Sequence, residues 1–227
     1  MHLFRQGCTR HPAPAFRNSR RACTLVFALA PLSKRAQIET GISIMVNVLQ
    51  PELRKFSIAE YYKLAQTGII APSERVELLN GQIIRMAPIG EKHRTIVDEL
   101  NYIFVDKRKN RYRVSIDQPI RIENFNEPQP DLTLYKTGVK NRHPTAEDIY
   151  LLIEVADTTL DYDSGDKLRA YEKAGITEYW VIDVAKRAVN IYKFPPQEPN
   201  YALESHAQGV IAPQAFPDVT VDLEDIF

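Results

Sequence analysis

The sequence predicts one α/β (α+β) domain, a mixed central sheet flanked by helices, behind a basic N-terminal extension. Three observations predict it. Residues 149–156 (IYLLIEVA) form an apolar run broken by one acid, the pattern of a central strand buried on both faces. Residues 91–107 place apolar groups at Ile96, Val97, Leu100, Ile103 and Phe104, which is helical spacing. Around these, short alternating runs are punctuated by turn residues, as in a sheet whose strands are joined mostly locally.

Taken in order, Ser57 and Glu60 form a capping box, with a short helix to about Gln66 that Gly68 ends. Residues 75–80 and 82–87 read as a β-hairpin about Asn80-Gly81. The helix of 91–107 follows. Residues 112–116 and 119–122 alternate like strands, and 131–135 (DLTLY) is a strand opening directly after Pro130. Residues 136–148 read as a loop, then comes the 149–156 strand. Ser164 is the expected cap of a helix to about Lys173, which Gly175 stops. Residues 178–183 and 189–194 are strands about a Lys186-Arg187 turn, 201–204 is a further short strand, and 216–227 is a closing tail. No internal repeat or low-complexity linker interrupts the chain after residue 45, so 45–227 is read as one domain.

The 227 residues are 44% hydrophobic and 26% charged, ordinary values for a globular protein. No apolar run is long enough to span a membrane, and a cytoplasmic location is expected. The formal net charge of zero hides an asymmetry. Residues 1–44 hold seven basic groups and one acid, which leaves 22 basic and 28 acidic groups in 45–227, a net charge of −6. Such a domain binds nucleic acid only where its charges segregate. Both cysteines, Cys8 and Cys23, lie in the extension, which excludes a disulfide framework or a cysteine zinc site within the domain. The extension, rich in Arg, Ala and Pro, is read as a disordered tail or a stretch upstream of a start at Met45. Its apolar segment 24–32 is followed at once by Ser33-Lys34-Arg35 and is a poor secretory signal.

Two acids occupy poor places for an acid. Asp131 opens a strand behind a proline, and Glu154 lies inside the apolar run. A buried carboxylate is costly unless it is paired, hydrogen-bonded or metal-bound. On neighbouring strands the two make a negative cluster suited to Mg²⁺ (or Mn²⁺), which takes one or two carboxylates plus waters and substrate phosphate. Lys167, thirteen residues after Glu154 and in the first turn of the expected helix, is the candidate to neutralise that phosphate and assist an attacking water. An ammonium near a helix N-terminus incurs a small electrostatic cost, which suggests a reason for its placement.

Pro130-Asp131, Ile153-Glu154-Val155, Asp161 and Asp163, Lys167, Tyr171, Ala174-Gly175-Ile176 and residues 178–183 (EYWVID) together resemble the Uma-two family of restriction-endonuclease-like proteins. Residues 76–81 (VELLNG) and His93 after Pro88 match as well, so the resemblance covers about 52–227. It implies a PD-(D/E)XK nuclease core with a bound divalent metal. Asp131 falls on the motif's Asp and Glu154 on its second acid. Ala156 stands where the motif's lysine belongs, and the resemblance points instead to Lys167 on the following helix. It further implies that the Val155 carbonyl joins the metal. Glu77 flanks the site as an outer or extra ligand, and His93 as a phosphate contact.

The expected function is a metal-dependent endonuclease hydrolysing DNA phosphodiesters, with a homodimer as the arrangement that addresses both strands. Two readings stand beside it: a nuclease-fold binding or regulatory module without turnover, and hydrolysis of RNA or another phosphodiester. Asp161 and Asp163 are expected to shape a loop and Tyr171, Tyr179 and Trp180 to pack the interior. The basic run Lys107, Arg108, Lys109, Arg111 and Arg113 is expected to be a solvated face or, less readily, a track for a DNA backbone.

Overall fold

The computed structural model describes residues 52–227. The basic extension expected at 1–44, and the expected start of the domain at 45, lie outside the described residues.

The local signals act as the sequence predicts. Ser57 Oγ accepts from the Glu60 N–H and the Glu60 carboxylate accepts from the Ser57 N–H, so helix α1 runs Ile58–Gln66. Strands β1 (Val76–Leu79) and β2 (Gln82–Arg85) pair antiparallel. Asn80 and Gly81 join them at φ 53° and 75°, the left-handed pair that a tight hairpin needs. Helix α2 spans Glu91–Lys107, with Ile96, Val97, Leu100, Ile103 and Phe104 buried as the period requires.

The main sheet has six strands in the order β3 (Arg113–Ile116), β4 (Leu132–Tyr135), β5 (Ile149–Ala156), β6 (Glu178–Asp183), β7 (Ala188–Lys193) and β8 (Ala202–His206). Every neighbouring pair is antiparallel except β5–β6. A parallel step requires a crossover. Here it is a helical stretch that runs unbroken through α3 (Leu160–Tyr162), a π-helical turn (Asp163–Lys167) and α4 (Leu168–Lys173).

Side chains of a strand alternate between faces. Leu151, Ile153 and Val155 of β5 join α2 and the C-terminal tail in one core. Leu152 and Ala156 join Tyr171 and Tyr179 in the other. That two-sided burial explains the apolar run, and it sends Glu154 toward the crossover side. Fully burying each such aliphatic side chain contributes about 1.5–3 kcal/mol, so the sheet is anchored firmly where the acid sits.

Three expectations are corrected. Residues 119–122 are not a strand. The Ile120 and Ile122 N–H groups bond to Pro128 and Asn126 carbonyls and close a loop on itself, and only Arg121 makes an isolated bridge. Ser164 is not a helix cap. The helical stretch begins after Thr159, whose carbonyl accepts from the Tyr162 and Asp163 N–H groups, so Ser164 and Lys167 lie within it. The tail carries more structure than alternation implies: β9 (Val210–Ile211) pairs with β10 (Val221–Asp222), and helix α5 (Leu223–Ile226) follows. Ile211, Phe216, Val219, Val221 and Leu223 fill the core beneath α2. Among the described residues no helix is long and apolar enough to cross a membrane.

Candidate active site

The acid cluster follows from strand register. β4 and β5 pair with Leu132 opposite Ile153, so Asp131 and Glu154, one step beyond on each strand, become neighbours. The Val155 N–H donates to Asp131 Oδ2 at 2.6 Å, and His93 Nε2, from the first turn of α2, lies 3.0 Å from the same oxygen. Glu154 Oε1 accepts from Lys167 Nζ at 2.8 Å and from the Tyr171 hydroxyl at 3.1 Å. Each acid thus has one oxygen held. Asp131 Oδ1 and Glu154 Oε2 accept no hydrogen bond among the described residues.

Glu77, on β1, is engaged at both oxygens. Oε1 accepts from the Tyr162 hydroxyl at 2.9 Å and lies 3.3 Å from Lys167 Nζ, while Oε2 accepts from the Gln129 N–H at 2.9 Å. Asp163 accepts from Thr159 Oγ1 at 2.5 Å. The π turn widens the helix by one residue locally, and it is the segment that carries both Asp163 and Lys167 into the interior. Glu77, Glu154, Asp163 and Lys167 are each no more than 3% exposed.

These groups line one cavity of about 390 Å³, together with Asp131, His93 and Val155. Every residue that the sequence singles out for the site is therefore brought to one place. The sequence misses three contributors. Asp163, expected to shape a loop, lines the cavity. Tyr171, expected to pack the interior, also binds Glu154 through its hydroxyl. Tyr162 binds Glu77. An acid four residues before Lys167, and tyrosines five before it and four after it, are the signals in the sequence that point to them. The basic run is the solvated face that the sequence suggests, with Arg108, Lys109 and Arg113 exposed. Lys107 is tied to Thr220, Arg111 to Asp218 and Arg113 to the Thr137 carbonyl. Fourteen residues along α2 from His93, at 1.5 Å each, put Lys107 ~21 Å from the cavity end of the helix.

Electrostatics follow from crowding four acids around one ammonium. Burial works against a charged Lys167, but Glu154, Glu77 and Asp163 outweigh it and hold the ammonium protonated, well above its ordinary range. Burial pushes the Glu154 carboxyl well up; Lys167 opposes this, and Asp131, Asp163 and Glu77 add to it. Burial likewise raises Asp163 to about 6, against the pull of Lys167. Burial lowers His93, yet its contact with Asp131 more than compensates and leaves it raised. The cluster carries surplus negative charge that either protons or a cation must balance. The donor set fits a hard divalent cation: two neighbouring carboxylates with one free oxygen each, in an oxygen-rich cavity without thiols. Among the described residues no three Asp, Glu, His or Cys side chains converge on one point. A Mg²⁺-type site, which takes one or two carboxylates and completes its shell with water, does not require three.

Comparison with known proteins agrees with this frame. Residues 58–224 match the Uma2 family, described as "Putative restriction endonuclease". No curated protein matches the chain. Among solved structures, the crystal structure of a "putative nuclease belonging to DUF820" from Anabaena variabilis is similar, with a TM-score of 0.58 and 17% identity over 76% of this chain and 97% of that one. At that identity the likeness concerns the fold. The family match spans most of the chain, and the chain belongs to the Uma2 family of nuclease-like proteins.

Proposed function

We propose that this Uma2-family chain is a metal-dependent endonuclease that hydrolyses DNA phosphodiester bonds. One observation carries the reading. Asp131 and Glu154 stand on adjacent strands, each with one oxygen held and one free, in a cavity that also contains a buried ammonium. Asp131, Glu154 and the Val155 carbonyl would hold Mg²⁺ or Mn²⁺. A divalent ion there supplies charge to a phosphate and acidifies water.

The chain's own groups do the rest. Lys167 neutralises charge on the phosphate and fixes the Glu154 carboxylate. Glu77, with both oxygens engaged, is a positioning residue that holds Lys167 and Tyr162 rather than a ligand. His93 orients Asp131 and faces the phosphate from the rim. The acids carry surplus negative charge without the ion, so binding releases protons and depends on pH.

The test is cleavage of plasmid and single-stranded DNA by the full chain in Mg²⁺, Mn²⁺ or EDTA, beside Asp131→Ala. Metal-dependent cutting that disappears in the variant supports the reading. A folded protein that cuts none of these removes it. A second reading, a nuclease fold that binds nucleic acid without turnover, is favoured by Ala156, which stands where the motif's lysine belongs. That reading requires binding in the same assay with no cutting.

A further inference from the structure

The walls of the acid cavity differ in chemistry, and the difference bears on which form of nucleic acid the site takes. Apart from the buried Lys167 and the rim His93, the cations that line it are Arg75 and Arg85. Both belong to the β1–β2 hairpin and both are exposed, Arg85 by 82% of its side chain. Their acidic partners are loose: Arg75 stands 3.6 Å from Asp117, and Arg85 3.8 Å from Glu74. Neither pair has hydrogen-bond geometry, and exposed pairs of this kind contribute little, so a phosphate can displace them. The segment leaving the hairpin adds an apolar surface, Met86 and Ile89, the latter 44% exposed beside the acids. The rim also carries two exposed acids, Asp157 and Asp161, of which Asp157 stands against Gly90 at the exit of the hairpin.

We propose that the cavity accepts one nucleic-acid strand, with Arg75 and Arg85 holding backbone phosphates and Met86 and Ile89 receiving a base. The inference rests on the nuclease reading of the same cavity and names its substrate form.

Three physical arguments support it. A volume of about 390 Å³ is on the scale of one nucleotide and far below a duplex. The acids lie beneath the surface, so a phosphodiester must enter the cavity to meet them, which a flexible unpaired strand does at less cost than a stiff duplex that must bend to follow. The exposed cations of the lining are also both on the hairpin, enough to hold the phosphates of one strand and leaving none for a second. Single strands are held without base-specific contacts by a cationic groove beside side chains that take the base faces, aromatic ones as a rule; here the aliphatic Met86 and Ile89 offer that apolar contact. The basic end of α2 is ~21 Å away along the helix and takes no part.

The experiment separates this inference from the nuclease reading by measuring binding and cutting independently. Fluorescence anisotropy follows a labelled 12-nucleotide single strand and its blunt duplex, with the full-length Asp131→Ala chain so that nothing is consumed. Tighter binding of the single strand by tenfold or more, reduced about tenfold by Arg85→Glu and less by Arg75→Gln, is the expected result. Arg85 is so exposed that its replacement leaves folding intact, and circular dichroism checks this. Equal or tighter binding of the duplex, or single-strand binding that is indifferent to both arginines, overturns the inference, as does no binding of either. Cutting of the same two substrates by the wild-type chain in Mg²⁺ then tests the nuclease reading alone. If neither is cut while the arginine-dependent strand preference persists, that reading fails and this one stands.

Discussion

Two glutamates on neighbouring strands, Glu154 of β5 and Glu178 of β6, are buried to nearly the same degree, 3% and 2% exposed. Their surroundings differ completely. Glu178 has both oxygens satisfied by neutral donors, the Trp180 indole N–H at 2.8 Å and the Gln214 N–H at 2.7 Å. It lies in the sheet and locks the tail to it. Glu154 shares its one held oxygen between Lys167 and Tyr171, keeps the other free, and faces Asp131, Asp163 and Glu77 across a cavity. Burial alone therefore identifies no site. A buried acid completed by neutral donors is architecture; one left incomplete among like charges points to a ligand.

The sharpest way to break this comparison is to neutralise each acid in turn. Glu154→Gln is expected to lower Mg²⁺-dependent cleavage about 10³-fold, while Glu178→Gln leaves kcat within about twofold. Equal losses in single-turnover assays would mean that the two glutamates do the same work. The next effect concerns stability. Lys167→Met removes a buried ammonium from among Glu154, Glu77 and Asp163 and is expected to destabilise the fold by about 3–5 kcal/mol. At this chain length that lowers Tm by roughly 10 °C. Adding Glu77→Gln restores part of the loss, and thermal unfolding of the single and double variants measures how much.

Asp163 supplies the pH signature. Its folded-state value, about 6, lies above its ordinary 3.8, so the folded chain keeps a proton that the unfolded chain has released. Its contribution is therefore present at low pH and is lost as pH rises through about 6, by up to about 3 kcal/mol. Denaturant titrations of wild type and Asp163→Asn in EDTA should differ in pH dependence between about 4 and 6, with the variant flatter. Glu178→Gln itself, whose amide turns one donor toward another, is expected to reduce stability by only about 1–2 kcal/mol. Arg108→Ala, far from the cavity on the basic run, is expected to change strand binding by less than about twofold.

Much of the fold was legible because local chemistry and tertiary packing agree. Ser57 and Glu60, Asn80-Gly81, the α2 stripe and the β5 run each specify their element by themselves. Glu154 was legible for the same reason: an acid in an apolar strand contradicts its surroundings. Residues 119–122 misled because alternation reports burial, and Ile120 and Ile122 are buried by a loop that satisfies its own N–H groups. Ser164 misled because a π turn has no composition of its own. Asp163 and Tyr162 reach the cavity, and Tyr171 reaches Glu154, through that turn's geometry, and the helical period counted from a start at Ser164 places them elsewhere. The partners of Lys107 and Arg111 were not legible, because Thr220 and Asp218 lie more than a hundred residues downstream.

The contact between Tyr162 and Glu77 spans 85 residues of sequence. Asp131 and Glu154 meet earlier in the chain's growth, but the ammonium and the hairpin carboxylate join only after the crossover has returned to a hairpin made long before. Contacts of such separation form late, because the intervening chain must be ordered first. During synthesis the chain therefore passes most of its length without an assembled centre. On the proposed nuclease reading that order is an advantage, since a truncated or half-folded copy lacks the groups needed to cut.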